Sequence, residues 1–291
     1  SVTRLSMSLH RIKLMKSRPN KPPKHIKAPG RIALIKEART LVDIGSVAVS
    51  FAQRGLLGKA ASQRGKNSPP IIMFPGFASD DRYLWPLRRY LMSLGYQAEG
   101  WGLGTNLAGA NLPHTLDDLH PRWDIEHTSK ELREDYRGEG GVPYLCDKAI
   151  ERVQQRIAEL DSPVILLGWS LEGYVAREVA RELDKDVKQV ITFGSPVIGG
   201  PKYTSAAPIF KARGFNLDWI ESEIERRNTK PIQQPITAIY SKSDGIVGWP
   251  ASIDHNSPNV EHIEVDAAHL GMGFNRTVWK LVLEALDKHA D

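Results

Sequence analysis

The sequence predicts an α/β protein in which a mostly parallel central sheet carries helices on both faces. From about residue 70 to residue 291, short and strongly apolar runs alternate with longer segments of helical periodicity. Runs that are apolar throughout are typical of parallel strands, which are buried on both faces, whereas antiparallel strands favour strict alternation. Turn residues such as Gly, Pro, Asp and Ser follow several of the runs and mark where the strands end.

The predicted elements follow one another in a regular order. Strands are predicted at "IIMF" (71–74), "YQAEGWG" (96–102), "PVILLGWS" (163–170), "VKQVITFGSP" (187–196), "ITAIYS" (236–241) and "VEHIEV" (260–265). Helices are predicted at about 84–94, 149–160, 173–184 and 277–289. Two long segments, 103–145 and 197–235, interrupt this order, with short helices predicted near 115–120, 128–136 and 216–228. Such interruptions are typical of lids and substrate-facing insertions.

The charge distribution divides the chain into two predicted regions. Residues 1–66 contain 15 Lys and Arg residues but only two acidic residues, Glu37 and Asp43. Residues 67–291 contain 24 basic and 32 acidic residues, so the overall charge of +5 originates in the N-terminal region. We therefore predict a basic N-terminal arm with an amphipathic helix over 1–66 and an α/β domain with two insertions over 67–291.

The basic arm is open to several interpretations. It can be a solvated tail, or it can bind an anionic membrane surface, nucleic acid or an acidic partner. No recognisable nucleic-acid module accompanies it, so we expect no nucleic-acid partner. Apolar residues at helical spacing predict a helix over about 31–57. We favour a helix that docks on the body and covers part of its core over one that lies on a membrane.

Localisation signals are sparse. The most apolar N-terminal run, 41–52, is too short and too polar to span a bilayer, and no cleavage pattern of a signal peptide accompanies it. The single cysteine, Cys146, excludes an intrachain disulfide, which fits a reducing compartment. We therefore expect a cytoplasmic protein that can be peripheral to a membrane.

Ser170 lies where a predicted strand turns into a predicted helix, in "PVILLGWSLEGYVARE". A sharp turn at this place exposes a serine hydroxyl for nucleophilic attack, and small residues two positions before and after the serine avoid collisions. Gly168 fills the first of these positions, but Glu172 occupies the second and Gly173 follows it. By itself the serine is equally well explained as a helix N-cap.

Three other loops after predicted strands carry groups that suit a nucleophilic serine. The turn in "IIMFPGFASDD" can offer the Phe77 N–H to an oxyanion, together with the N–H of Leu171. Asp244 follows the strand "ITAIYS", and His269 follows the strand "VEHIEV". Each residue alone has an ordinary structural explanation. Together they give the chain order Ser, Asp, His that α/β-hydrolases use.

From about residue 70 onward, the chain resembles the α/β-hydrolase superfamily, in particular bacterial serine esterases and lipases. Those members carry GWSLGG at the elbow and an SHLGLGFN-like segment near the C-terminus; here the segments read "GWSLEG" and "AHLGMGFN". "YSKSDGIV" and "EGWGLGTNL" are similar to that branch as well. The resemblance implies Ser170 as nucleophile, Asp244 as acid, His269 as base, and Phe77 and Leu171 as backbone oxyanion donors.

Glu172 is the departure from this pattern, because the family has glycine there. We expect Glu172 in the first turn of the helix, where the helix dipole favours a carboxylate. Its negative charge would hinder an oxyanion nearby, so Glu172→Gly is expected to raise kcat or stability.

Competing assignments use other titratable residues. Asp266, Glu264 or Asp218 could replace the acid, and His262 or His255 the base. Five residues of the first insertion could in principle hold zinc or calcium, but their spacing matches no strong template: His114, Asp117, Asp118, His120 and His127. We expect no metal site and no cofactor.

The function predicted from these residues is hydrolysis of carboxylic esters through an acyl-enzyme. Apolar residues of the two insertions indicate an acyl-chain pocket and hence a small ester or lipid substrate: Leu107, Leu112, Trp123, Ile209, Phe210, Trp219 and Ile220. An acyltransferase or a thioesterase would use the same residues. A protein that has lost catalysis through Glu172, and binds a lipid or a partner instead, is the alternative from another class.

Overall fold

A computed structural model of the protein describes residues 13–14, 26–30, 35, 37–45, 64–128 and 130–289. Within these residues, one sheet is formed by β1 (Lys13–Leu14), β2 (Ile71–Phe74), β3 (Ala98–Gly100), β4 (Val164–Trp169), β5 (Val187–Phe193), β6 (Ile236–Tyr240) and β7 (Val260–Glu264). The strand order is β1-β7-β6-β5-β4-β2-β3. Strands β2 to β7 pair in parallel, and the two-residue β1 pairs antiparallel with β7.

Helices cover both faces of this sheet. Their bounds are α1 (Trp85–Ser93), α2 (Lys130–Glu134), α3 (Gly141–Leu160), α4 (Leu171–Glu182), α5 (Ala207–Ala212), α6 (Leu217–Asn228) and α7 (Arg276–Lys288). Side chains alternate between the two faces along each strand. In β2, Ile72 and Phe74 belong to the core with α3 and α4, whereas Ile71 and Met73 belong to the core with α1 and α7. The predicted fold class is confirmed.

Two element boundaries differ from the prediction. Helix α3 begins at Gly141, not near residue 149, so the first insertion ends before 145. The sequence does not indicate this helix start, because Gly140, Gly141 and Pro143 are residue types that are typical of loops. Proline is tolerated in the first turn of a helix, where its missing N–H has no intrahelical acceptor to lose. The second insertion contains α5 in addition to the predicted α6.

The described part of the N-terminal region contacts the body through polar side chains. A 3-10 turn spans Glu37–Arg39, and residues 40–45 are helical. Glu37 is buried, whereas Leu41 and Val42 are 75% and 73% exposed. The sequence suggested a helix whose apolar side chains cover part of the core. In residues 40–45 these side chains are exposed instead. The rest of the predicted helix lies outside the described residues, and the domain division at residue 66 stays a prediction.

No helix in the described part of the chain is both long and apolar enough to cross a membrane.

Candidate active site

Ser170 stands in a strained turn between β4 and α4. Its backbone has φ 59° and ψ −132°, a region that costs a non-glycine residue about 1–3 kcal/mol. The Ser170 N–H donates to the carbonyl of Phe193 on the neighbouring strand at 3.0 Å, which ties the turn to the end of β5. The hydroxyl is not fully buried and points towards His269 rather than capping α4. This geometry is that of a nucleophile elbow and not that of an N-cap.

Two glycines make the close approach of β4 and α4 feasible. A Cβ on Gly168 would lie 2.6 Å from the Glu172 carbonyl oxygen and from the Gly173 Cα. A Cβ on Gly173 would collide with the Ser195 side chain that follows β5. In this chain a side chain is excluded at the third position after the serine. The second position has room for the side chain of Glu172.

Glu172 is completely buried in the first turn of α4. Neither carboxyl oxygen makes a hydrogen bond of 3.5 Å or shorter with any described residue. Burial raises the pKa of Glu172 well above its ordinary value, and the nearby Asn106 amide opposes this only in part. The uncharged acid is favoured. The expected carboxylate, stabilised by the helix dipole and harmful to an oxyanion, is therefore not what this environment supports.

Asp244, His269 and Ser170 form one continuous chain of hydrogen bonds. His269 Nδ1 lies 2.7 Å from Asp244 Oδ2, and His269 Nε2 lies 2.9 Å from Ser170 Oγ. A carboxylate can only accept, so Nδ1 carries the proton and Nε2 accepts from the serine hydroxyl. The side chains of Asp244 and His269 are 3% and 2% exposed, which excludes water from their contact.

The second carboxyl oxygen of Asp244 fixes the orientation of the acid. Asp244 Oδ1 accepts the N–H of Ile246 at 2.8 Å and that of Val247 at 2.7 Å. Because both N–H groups belong to the loop after β6, the carboxylate and its own loop hold each other in one conformation. These two bonds leave Oδ2 directed at His269.

The two predicted oxyanion donors lie in the wall of the same cavity. Phe77 and Leu171 both line it, and neither of their N–H groups has an acceptor among the described residues. The loop of Phe77 is held in place by Asn106, whose carbonyl accepts the Ala78 N–H at 2.8 Å. A Cβ on Gly76 would lie 2.5 Å from the Trp169 ring, so only glycine lets the loop approach the elbow.

The competing acids and histidines are occupied elsewhere. Asp266 pairs with Arg39, Glu264 with Lys242, and Asp218 with Lys202. His262 Nε2 accepts the Asp254 N–H at 2.9 Å. The two ring nitrogens of His269 bond to Asp244 and Ser170 and not to any of these competing side chains.

The histidines of the first insertion make local contacts. His114 bonds to Tyr136 at 2.7 Å, His120 to Arg122 at 3.0 Å and His127 to Asp124 at 2.7 Å. Over the described ranges, no group of three or more His, Cys, Asp or Glu residues is arranged to hold a metal ion.

A cavity of about 130 Å³ opens beside Ser170. Of the seven residues predicted for an acyl pocket, the structure places four in its wall: Trp123, Phe210, Trp219 and Ile220. Leu107 and Ile209 are 38% and 57% exposed, and Leu112 packs against the core, so these three predictions are wrong. Composition does not show which face of an insertion turns towards the cavity and which turns towards solvent or the core. Sequence analysis also missed lining residues from α3 and α4, among them Val142 and Tyr174.

The two insertions meet above this cavity and are tied to the elbow helix. Arg227 of α6 donates to Glu178 of α4 at 2.8 Å, and its guanidinium lies 4.9 Å from the Trp123 ring centre. The Asp124 N–H donates to Glu223 of α6 at 3.3 Å. These contacts join the two insertions to each other and to α4, and together the insertions form a cap whose residues share the cavity wall with Ser170.

One buried acid of the site comes from the N-terminal region. Glu37 accepts the N–H of Gly245 at 2.8 Å, of His269 at 2.9 Å and of Leu270 at 2.8 Å. Sequence analysis gave Glu37 no role beyond its charge. Its partners lie more than 200 residues away, and no local pattern signals such contacts.

The sequence matches no family model and no curated protein. Among solved structures, it is similar to mouse alpha/beta hydrolase domain-containing protein 10, with 16% identity, a TM-score of 0.46, and coverage of 76% of this chain and 88% of that one. The monoacylglycerol lipase of Paleococcus ferrophilus gives 14% identity and a TM-score of 0.47, with coverage of 76% and 96%.

A third similar structure is Est1E from Butyrivibrio proteoclasticus, with bound ferulic acid, at 15% identity, a TM-score of 0.47 and coverage of 79% and 91%. With TM-scores below 0.5, these three likenesses carry no argument about this chain, and its fold is read from its own topology. The parallel sheet, the serine elbow after β4, and the positions of Asp244 after β6 and His269 after β7 give this chain an α/β-hydrolase fold.

Proposed function

We propose that this protein is a serine hydrolase that cleaves carboxylic esters with an apolar acyl group. The observation that carries the proposal is the chain of hydrogen bonds from Asp244 through His269 to Ser170, which ends beside two N–H groups without an acceptor among the described residues. Nucleophile, base, orienting acid and oxyanion donors are the parts that acyl transfer requires.

In the first half-reaction, Ser170 Oγ attacks the ester carbonyl carbon while His269 Nε2 takes the hydroxyl proton. The carbonyl π electrons move to the oxygen, and the N–H groups of Phe77 and Leu171 stabilise the oxyanion. The Asp244 carboxylate stabilises the imidazolium. When the tetrahedral intermediate collapses, His269 gives its proton to the departing alcohol and the acyl group stays on Ser170.

In the second half-reaction, water replaces the alcohol. His269 takes a proton from water, the hydroxide attacks the acyl carbon, and the oxyanion forms again between the same N–H groups. Collapse releases the carboxylic acid and returns the proton to Ser170 Oγ.

The substrate class follows from the wall of the cavity. Aromatic and aliphatic side chains from the cap, α3 and α4 line it next to the Ser170 hydroxyl, which suits an apolar acyl chain. Burial of each methylene contributes about 0.8 kcal/mol, or about fourfold in affinity. We therefore expect kcat/KM to rise by about fourfold per methylene from the acetate ester until the cavity is full.

A series of p-nitrophenyl esters from acetate to hexadecanoate tests this proposal, with Ser170→Ala as the matched control. We expect turnover that increases with chain length from acetate and is lost in Ser170→Ala. Absence of turnover at every chain length would contradict it.

A fluorophosphonate probe separates catalysis from mere binding. Labelling that requires Ser170 supports the hydrolase, whereas an unlabelled wild type would favour a binding protein with a hydrolase fold. The binding-protein alternative assumes that a negative charge at Glu172 abolishes catalysis. Burial raises the pKa of Glu172 and favours the neutral acid, which weakens this alternative.

A further inference from the structure

Two loops must keep a fixed separation for the proposed chemistry. Asp244 belongs to the loop after β6, and His269 belongs to the loop after β7. Inside this pair of loops, Ser241 Oγ accepts the N–H of Ala267 at 3.3 Å. This bond joins the loops at their bases, as the Asp244–His269 bond does nearer to Ser170. The N–H groups of Gly245, His269 and Leu270 donate to neither loop.

Glu37 supplies the acceptors for those N–H groups. Its Oε1 accepts from Gly245, next to the acid, and from His269, the base itself. Its Oε2 accepts from Leu270. One carboxyl group therefore bridges the two loops at the residues that carry the reaction. Each of these N–H groups, left without an acceptor, would cost free energy comparable to a lost hydrogen bond.

The rest of the 37–45 segment is fitted against the base loop. Asp43 accepts the side-chain amide of Asn275 at 3.1 Å, at the start of α7. A Cβ on Gly271 would lie 2.5 Å from an Asp43 carboxyl oxygen, so the segment and the loop approach as closely as glycine allows. Arg39 pairs with Asp266 in an exposed contact at 3.0 Å.

The Tyr83 hydroxyl donates to the carbonyl of Leu270. The peptide groups that follow His269 are therefore held both by Glu37 and by Tyr83. The position of the His269 imidazole depends on its backbone as well as on its hydrogen bond to Asp244. A shift of either would move Nε2 away from Ser170.

We infer that Glu37 is a positioning residue of this active site: it holds the acid loop and the base loop at the separation at which Asp244, His269 and Ser170 connect. The inference rests on the proposed hydrolase function. It gives Glu37 alone, among the described residues of the N-terminal segment, a part in positioning Asp244 and His269, and this carboxyl group does not touch Ser170 in the contacts described.

Glu37→Gln is the decisive variant because it keeps the size of the side chain but replaces one acceptor oxygen by a donor. Three N–H donors then compete for one oxygen, and the loops lose their bridge. We expect kcat for the best ester to fall about 10- to 100-fold with KM within about threefold, since small displacements of catalytic groups have effects of this size. The rate of fluorophosphonate labelling should fall in parallel.

Arg39→Gln is the matched control. It removes an ion pair between the same segment and the same loop, but the pair is exposed and touches neither Asp244 nor His269. We expect its kcat within about twofold of the wild type, as for exposed ion pairs in general.

A proton resonance provides a readout that a merely structural role would not move. The proton between His269 Nδ1 and Asp244 Oδ2 should give a low-field ¹H NMR signal in the wild type, and it should shift or broaden in Glu37→Gln but not in Arg39→Gln. This comparison is made well below the unfolding temperature of each variant.

The outcomes separate the two proposals. A wild type without ester turnover or labelling defeats the proposed function, and the NMR comparison then still tests the bridge. An active wild type with Glu37→Gln equal to Arg39→Gln overturns the role of Glu37 alone. A rise in KM at constant kcat, or a Glu37→Gln variant that does not fold at the assay temperature, would also overturn it, because Glu37 would then serve binding or folding.

Discussion

Two buried glutamates next to the candidate active site have opposite surroundings. Glu37, in the N-terminal segment, accepts three backbone N–H groups from two loops. Glu172, in the elbow, is fully buried and accepts none of 3.5 Å or shorter from the described residues. A buried carboxyl group is costly unless hydrogen bonds compensate for the lost water. A buried glutamate can therefore hold two loops together in one region, and in the other region lower the stability of the fold because its burial is not compensated.

The elbow and the N-terminal segment also differ in how tightly glycine is required. A Cβ on Gly173 would collide with the Ser195 side chain, whereas a Cβ on Gly45, at the end of the 37–45 segment, would have no neighbour within 4 Å among the described residues. The elbow is thus closely packed and excludes a side chain at position 173, whereas the described residues leave space for one at position 45. Three predictions test this contrast.

The largest effect is expected for Gly173→Ala. Overpacking between α4 and the loop after β5 should lower the free energy of unfolding by about 1–3 kcal/mol. Because α4 must move to relieve the collision, the Leu171 N–H and Ser170 move with it, and kcat should fall at least about tenfold. Urea unfolding and ester kinetics measure both. The matched control, Gly45→Ala, should change stability by no more than about 0.5 kcal/mol; equal effects of the two variants would refute the contrast.

A pH-dependent effect is expected for Glu172. An acid whose pKa is higher in the folded than in the unfolded chain stabilises the fold fully at low pH, and this contribution is lost as pH rises. Relative to Glu172→Gln, which cannot ionise, the wild type should therefore lose about 1.4 kcal/mol per pH unit above pH about 5, until the folded pKa is reached.

Urea unfolding of both proteins between pH 4 and pH 8 measures this slope. Glu131→Gln, at an exposed position of α2, is the control and should show a difference that does not change with pH. A flat difference for Glu172→Gln as well would mean that Glu172 ionises as easily in the folded protein as in the unfolded chain.

The smallest effect on the folded body is expected from the basic arm. Replacement by Gln of Arg4, Arg11, Lys16, Arg18, Lys21 and Lys24 should leave ester turnover in solution unchanged. Sedimentation with anionic vesicles at low salt should decrease, because each basic side chain near such a surface contributes about 1 kcal/mol. Neutral vesicles are the control. Binding that is equal for both proteins would discard the membrane interpretation and favour a solvated tail.

Local sequence patterns were sufficient for most of the fold and for the residues brought together at Ser170. The apolar runs that end at Trp169, Tyr240 and Val265 identify three strands of a parallel sheet, and the carboxyl ends of such strands meet at one edge. Ser170, Asp244 and His269 follow those strands directly, so their proximity is a consequence of sheet topology. The same logic explains why the turn with Phe77, after β2, lies there too.

The sequence was less informative where long-range packing decides. The wall of the cavity depends on which faces of the insertions turn inward, and composition placed Trp123 correctly but Leu107 and Ile209 wrongly. The start of α3 at Gly141 was hidden because glycine and proline favour loops unless tertiary contacts stabilise a helix.

The sequence by itself determined the order of strands and helices and the order of the reacting groups, because periodicity and turn residues act between near neighbours. Only the tertiary structure decided the roles of the two glutamates. Burial raises the pKa of Glu172 well above its ordinary value, and Glu37 reaches N–H groups 208 to 233 residues away. The free energy of a buried acid depends on what surrounds it in space, and a linear pattern does not contain that information.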